Sequence, residues 1–142
     1  MKYASQEFYD KVKDSSVTDR MWKGTAQGFT ARWQNLLLDC PGGVDKLVDW
    51  EVRSTKVVSV ALQEKPAPSD LRTTPVDEGK ILGRFVAPYE SFVRLHKQEF
   101  SAMVALGMGV YDIEGDITEV IKKIESFDAF LDMSSTVPAE YE

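Results

Sequence analysis

The sequence predicts an α+β protein, and three changes in the spacing of its apolar residues lead to that prediction. Apolar residues recur at helical intervals near the amino terminus, alternate with polar residues through the middle, and return to helical intervals in the last third. The predicted order is two helices, a three-strand meander, a fourth strand, two short helices, a fifth strand and a long helix. At 142 residues, this pattern suits a single domain around one core, residues 1–142.

The amino-terminal helices are predicted by spacing and by a capping pattern. Phe8 and Val12 stand four apart, on one side of a helix over residues 5–14, within a helical segment assigned to residues 1–16. The stretch from Ser16 resembles a capping box, with an aspartate in the third position, that would open a second helix. The residues of that helix expected to face inward are Val17, Met21 and Trp22.

The middle of the chain is predicted to form an antiparallel meander. Residues 29–38 alternate in polarity, and residues 39–43 are a strong turn signal. Residues 48–52 alternate apolar with charged side chains, as in a strand with one wet face. Residues 57–62 are rich in β-branched side chains and predict a more buried third strand. One face of the first strand carries Phe29, Ala31, Trp33, Asn35 and Leu37, and core packing is the default expectation for Trp22, Trp33 and Trp50.

A long loop and a fourth strand follow the meander. Residues 66–80 contain three prolines and have no hydrophobic period, which predicts a loop. Loops of this length are often mobile lids or partner contacts, and a disordered surface excursion fits the same composition. Residues 81–87 alternate again and predict the fourth strand, and Pro88 suits the first turn of the next helix.

The last third organises the predicted fold. Two short helices precede a strand at residues 110–114, Gly115 turns the chain, and Asp116 caps one long helix. Residues 134–142 contain two serines and a proline and are expected to form a flexible tail. The apolar stripe predicted for the long helix is Ile117, Val120, Ile121, Ile124, Phe127 and Leu131.

Composition excludes several classes of function. A net charge of −6 argues against non-specific nucleic-acid binding and gives no electrostatic attraction to anionic membranes. No apolar run approaches the roughly 20 residues that span a bilayer, so no transmembrane segment is expected. The amino terminus lacks the apolar region of a signal peptide, and Cys40 has no second cysteine to pair with. A cytoplasmic protein with a reduced thiol is therefore expected.

In its strand at residues 81–87, its helices at residues 89–95 and 100–109, and its strand and turn at residues 110–116, the chain resembles the sterol carrier protein 2 family. Residues 81–87 match the strand before the family's pocket helices, and residues 89–95 resemble its acidic-led helix. Residues 100–109 resemble the following helix with its glycine end, and residues 110–116 resemble the closing strand and glycine-aspartate turn. The likeness extends over residues 17–131, although the first half matches mainly in pattern.

That resemblance implies a five-stranded mixed sheet with helices covering one face and a lipid-accepting tunnel between the two layers. Fatty acids, fatty acyl-CoA esters and sterols are the family's ligand class. Two departures are visible in this chain. The loop at residues 66–80 replaces a compact turn, and the final Glu140-Tyr141-Glu142 is not a peroxisomal targeting tripeptide, so peroxisomal import is not expected.

The candidate ligand-binding residues are apolar side chains of the last third that would line such a tunnel. Flexible methionines suit an adaptable wall, and they suit a filled core equally well. No cofactor and no metal site is expected, because the single histidine and single cysteine are far apart in sequence. The candidate lining residues are Phe92, Val93, Leu95, Phe100, Met103, Val104, Leu106, Met108, Phe127, Phe130 and Leu131.

No catalytic constellation is predicted. Cys40 as a nucleophile would need His96 as its base, and a surface histidine is the simpler interpretation. Asp112 and Glu114 share a strand face and would act as a paired acid and base only inside an apolar pocket. A solvated face and a helix cap at Asp116 explain these carboxylates without chemistry.

Two functions follow from the sequence, and an enzyme that uses His96 with Asp112 or Glu114 is a third option. The first is a non-enzymatic binding or carrier protein for a long apolar ligand, such as a fatty acid, fatty acyl-CoA or sterol-like lipid. The alternative is an accessory or oligomerisation subunit of a lipid- or steroid-metabolising enzyme, with a filled core. In that alternative, residues 66–80 and 136–142 would contact an enzyme or a second copy of the chain.

Overall fold

The computed structural model describes residues 1–142 and contains a five-stranded mixed sheet, as predicted. Six helices accompany the sheet, which makes the fold α+β. The strands lie in the order β3-β2-β1-β4-β5. The elements are α1 (Gln6–Thr18), α2 (Arg20–Thr25), β1 (Ala31–Cys40), β2 (Val44–Arg53), β3 (Lys56–Pro66), β4 (Gly83–Pro88), α3 (Tyr89–His96), α4 (Ala102–Gly107), β5 (Asp112–Gly115), α5 (Ile117–Lys122) and α6 (Ile124–Ser135). None of the helices has the length and apolarity needed to cross a bilayer.

The predicted meander is confirmed, since β1 pairs antiparallel with β2 and β2 with β3. Trp33 lies opposite Trp50 in this register. The prediction of a more buried third strand is wrong: β3 is an edge strand, and most of its side chains are partly or fully exposed. Its β-branched residues reflect a preference for extended backbone, which burial is not required to satisfy.

The second half of the chain completes the sheet from the other side of β1. Strand β4 pairs parallel with β1, and β5 pairs antiparallel with β4, so the predicted fifth strand lies in the sheet. Gly115 has φ +99°, and a Cβ there would lie 2.9 Å from the Cα of Gly83. Only glycine fits this close approach of the two backbones, so the turn after β5 requires glycine at position 115.

The first two helices meet at a different residue from the one predicted. Helix α1 continues through Ser16, and Asp19 caps α2 by accepting a hydrogen bond from the Trp22 amide at 2.9 Å. Trp22 is buried as expected, whereas Val17 is 45% exposed and Met21 is 79% exposed. The predicted inward face was wrong for these two residues because the true cap starts α2 three residues later.

The long final helix is interrupted. Lys123 adopts φ −104° and ψ 14°, which ends α5 and allows α6 to begin in a new direction. Asp116 caps α5 as predicted, accepting a hydrogen bond from the Glu119 amide. Ile117 and Ile121 are exposed, so the predicted stripe is wrong for these two residues, whereas Val120 is buried as predicted. The buried side chains of the two helices are Val120, Ile124, Phe127, Ala129, Phe130 and Met133.

The loop between β3 and β4 covers the sheet face opposite the helices. Asp45 is fully buried and accepts five hydrogen bonds, from the amide of Asp39, the amide and hydroxyl of Ser69, and the guanidinium of Arg72. The Arg72 guanidinium holds the pKa of the Asp45 carboxyl well below its usual range. The loop is therefore packed against the sheet by Asp45 and does not form a disordered excursion.

The carboxyl-terminal segment is also packed, contrary to the flexible tail expected for residues 134–142. Helix α6 continues to Ser135, and Val137 is buried. The Tyr3 amide donates to the Glu140 carbonyl at 2.9 Å, which joins the two ends of the chain. The proline and serine content indicated disorder. In the structure, backbone hydrogen bonds to the amino-terminal residues order the segment instead. The two segments assigned to partner contacts thus contact their own chain.

Candidate functional site

A cavity of about 100 Å³ lies between the helices and the inner face of the sheet. Of the 17 residues lining it, 14 are hydrophobic, and none is aspartate, glutamate, lysine or arginine. The sheet supplies Trp33, Asn35, Trp50 and Phe85. Helices α1, α3 and α6 supply Phe8, Tyr9, Val12, Phe92, Leu95, His96, Phe127, Phe130, Leu131 and Ser134, and Tyr3, Ala102 and Tyr111 complete the wall.

The floor of the cavity follows from strand alternation. Trp33 and Asn35 point to the same face of β1, and Trp50 and Phe85 meet them from the neighbouring strands. The indoles of Trp33 and Trp50 stack at 6.1 Å between ring centroids, and Phe130 packs edge-on to each at 4.9 Å. Interlocking aromatic rings of this kind resist displacement, so the floor is the rigid side of the site.

Five of the eleven predicted lining residues reach the cavity: Phe92, Leu95, Phe127, Phe130 and Leu131. Val93 is buried in the core without lining the cavity, and Phe100 and Leu106 are partly buried against that core. Met103, Val104 and Met108 are exposed by 51%, 51% and 62%. Helix α4 turns Ala102 and Ala105 inward, which leaves its larger side chains facing out.

Sequence reasoning missed the amino-terminal wall and most of the floor. Tyr3, Phe8, Tyr9 and Val12 line the cavity although they lie some ninety residues from α3 along the chain. The spacing of Phe8 and Val12 predicted a buried helix face but not its neighbours. Asn35 was visible as the one polar residue among the apolar residues of its strand face, and that signal was available from the sequence.

His96 is buried at one end of the cavity, so the interpretation as a surface histidine was wrong. Its Nε2 lies 2.9 Å from the Val137 carbonyl oxygen, which can only accept, so Nε2 carries the proton. Its Nδ1 therefore accepts from the Tyr141 hydroxyl. Burial lowers the pKa of His96, which favours this neutral form. Tyr3 and Phe8 pack around the ring and close this end of the cavity.

The groups considered for catalysis do not meet. Glu114 pairs with Arg84 at 3.0 Å on the loop-covered face of the sheet, whereas His96 lies on the helical side. Asp112 is exposed. Cys40 is buried, and burial raises the pKa of its thiol to about 11, which disfavours the reactive thiolate. No group of three or more His, Cys, Asp or Glu side chains is arranged to hold a metal ion.

Comparison with known proteins identifies the fold. No protein-family model and no curated protein sequence matches the chain. A crystal structure of sterol carrier protein 2 superposes with a TM-score of 0.74 at 9% identity, covering 94% of this chain and 98% of that one. A conserved hypothetical protein from Thermus thermophilus, described as possibly a sterol carrier protein, gives 0.73 at 9% identity over 96% and 90%.

A third similar structure is palmitated SCP2L2 from Aedes aegypti, with a TM-score of 0.53 at 12% identity over 88% of this chain and 93% of that one. At these identities the likeness concerns the fold. The chain has the sterol carrier protein 2-like fold that the residues of its second half predicted.

Proposed function

We propose that this protein is a non-enzymatic binding and carrier protein for a long apolar ligand, of the fatty acid, fatty acyl-CoA or sterol-like class. The observation that carries the proposal is the cavity between helices and sheet, which has 14 hydrophobic residues among 17 and no charged aspartate, glutamate, lysine or arginine. Such a wall offers a hydrocarbon chain a favourable transfer from water of about 0.8 kcal/mol per methylene group. The similar fold of palmitated SCP2L2 supports the same class of ligand.

The cavity is smaller than a long apolar ligand. At about 100 Å³ it lies well below the roughly 300–1,000 Å³ of pockets that hold drug-sized molecules. Binding of a long chain therefore requires part of the wall to move outward. Phe130 of α6 interlocks with the two indoles of the sheet, so the movement is expected in a helix other than α6.

Helix α4 is the shortest of the helices that contribute to the wall, and it buries few side chains. It has six residues, and only Ala102 and Ala105 are buried. Two hydrogen bonds hold its first turn: the Ala102 amide donates to Asp128 at 2.8 Å, and the Tyr111 hydroxyl donates to the Ala102 carbonyl at 2.6 Å. Elements that bury little apolar area open at low free-energy cost. We place the opening of the cavity at α4 for this reason.

Native mass spectrometry of the gently purified protein tests the proposal. We expect a population carrying one lipid-sized adduct, and we expect added hexadecanol or hexadecanoate to displace bound Nile red from the protein. A protein that is free of adducts and shows no saturable Nile red binding would overturn the carrier function. Heat-denatured protein is the control, because it exposes apolar residues without forming the cavity.

A further inference from the structure

One buried polar atom of a residue that lines the cavity has no hydrogen-bond partner. The indole Nε1–H of Trp50 is the one fully buried side-chain nitrogen or oxygen in the chain without a hydrogen-bond partner, and Trp50 is 1% exposed. A buried donor left without an acceptor costs about 1–3 kcal/mol. The Phe130 and Tyr9 rings pack edge-on to the indole, and an aromatic face is a much weaker acceptor than oxygen. An acceptor from a bound molecule would remove this cost.

Asn35 lies beside Trp50 on the same face of the sheet. It is the only asparagine in the chain and the one amide on the cavity floor. Asn35 pairs with Val48 across β1 and β2, and Trp50 follows Val48 by two residues, so the two side chains are diagonal neighbours. Diagonal neighbours have Cα atoms roughly 7–8 Å apart, within reach of long side chains and of one small group placed between them.

Four other polar side chains of the wall, unlike Asn35 and Trp50, already have a hydrogen-bond partner within the protein. His96, Ser134, Tyr3 and Tyr111 are each bonded to a protein carbonyl group. The groups left for a ligand are the Asn35 amide, the Tyr9 hydroxyl and the two indoles of the floor. No lysine or arginine lines the cavity, and His96 is held neutral by burial. An ionised head group would therefore be buried here without a counter-charge, which is costly.

We propose that Asn35 and Trp50 form a subsite for a neutral oxygen-bearing head group, a hydroxyl or carbonyl, at one end of the apolar ligand. A ligand hydroxyl would accept from the Trp50 Nε1–H and donate to the Asn35 Oδ1, and a ligand carbonyl would accept from the Trp50 Nε1–H and the Asn35 Nδ2–H. The inference rests on the proposed function and narrows its ligand class to long-chain or polycyclic alcohols, ketones and esters, in preference to fatty-acid anions and acyl-CoA esters.

Competition binding of hexadecanol, hexadecane and hexadecanoate against Nile red tests the subsite. For the wild-type protein at about pH 8, where the acid is ionised, we expect hexadecanol to bind more tightly than the other two. We expect Asn35→Ala to reduce the preference for hexadecanol over hexadecane about tenfold. This factor corresponds to the loss of one hydrogen bond whose net free energy lies near the upper end of the usual range. Because both ligands are measured on the same variant, a change in cavity volume affects both affinities and cancels from their ratio.

Ser135→Ala is the control, because it removes a hydroxyl that is bonded to the Leu131 carbonyl and does not line the cavity. It should leave the preference unchanged. An unaltered preference in Asn35→Ala, or hexadecanoate binding as tightly as hexadecanol, would overturn the subsite while leaving the carrier function intact. Failure of all three ligands to displace Nile red would instead count against the carrier function itself.

The nitrogen-bound proton of the Trp50 indole gives a second readout that needs no variant. Its resonance in a ¹⁵N-labelled sample should move downfield when hexadecanol binds, because the proton gains an oxygen acceptor. Hexadecane should not produce that downfield shift. Equal shifts with the two ligands would contradict the hydrogen bond at Trp50.

Discussion

Replacing Ser134 with leucine is expected to weaken the binding of a long apolar ligand about 50-fold. Ser134 lines the cavity from α6, and the leucine side chain would occupy the space of about three ligand methylene groups. At roughly 0.8 kcal/mol per methylene, the loss is about 2.4 kcal/mol, which corresponds to that factor in Kd. The measurement is Nile red displacement by hexadecanol, with thermal unfolding recorded in parallel.

The adjacent residue provides a matched control. Ser135 also donates its hydroxyl to the carbonyl four residues earlier, but it does not line the cavity. Ser135→Leu makes the same chemical change one position away, and ligand affinity should be unaltered. If Ser134→Leu binds hexadecanol as tightly as Ser135→Leu, the ligand does not occupy this cavity.

Replacing Asp45 with alanine is expected to lower the free energy of unfolding by about 3 kcal/mol. The carboxylate is fully buried and accepts five hydrogen bonds, two of them from the backbone amides of Asp39 and Ser69. Alanine leaves those amides without their acceptor and leaves the Arg72 guanidinium with Asp39 as its remaining acceptor. Urea unfolding followed by tryptophan fluorescence measures the change, because Trp22, Trp33 and Trp50 are buried in the folded state.

Asp70→Ala is the control for this variant. Asp70 lies in the same loop and pairs with Lys65 at 2.9 Å, but it is exposed, so its removal should leave the unfolding midpoint nearly unchanged. Equal midpoints for the Asp45 and Asp70 variants would contradict the role of Asp45 in holding the loop against the sheet.

The strands were predictable because their signal is local. Alternation of apolar and polar residues identified β1, β2 and β4, and the turn at residues 39–43 separated the first two. The spacing also placed β5 after two short helices, and in the structure this strand lies in the sheet beside β4. Strand burial was less predictable, since β3 has the same composition as a central strand but lies at the edge of the sheet.

The junction of the two chain ends could not be predicted from local patterns. His96 contacts Tyr141 and Val137, and Tyr3 pairs its backbone with Glu140. Each of these segments is short and polar when considered alone. Their stability comes from contacts between residues far apart in the sequence, which composition does not reveal.

The candidate site could be predicted only in part, because its lining residues also come from segments far apart in the sequence. Helices α3 and α6 were assigned their lining residues by spacing, and Phe92, Leu95 and Phe130 reach the cavity. In α4 the same reasoning failed, because Met103 and Val104 were included among the lining residues as large apolar side chains. The structure turns the small residues Ala102 and Ala105 inward, and Ala102 lines the cavity.

The most direct test of the account is the location of a bound ligand by NMR. In a complex of the ¹³C-labelled protein with unlabelled hexadecanol, we expect nuclear Overhauser effects from the ligand methylene groups to Leu95, Phe130 and Leu131, which line the cavity. Methylene contacts confined to the exposed side chains of Met103, Val104 and Met108 would place the ligand on the surface and contradict the account.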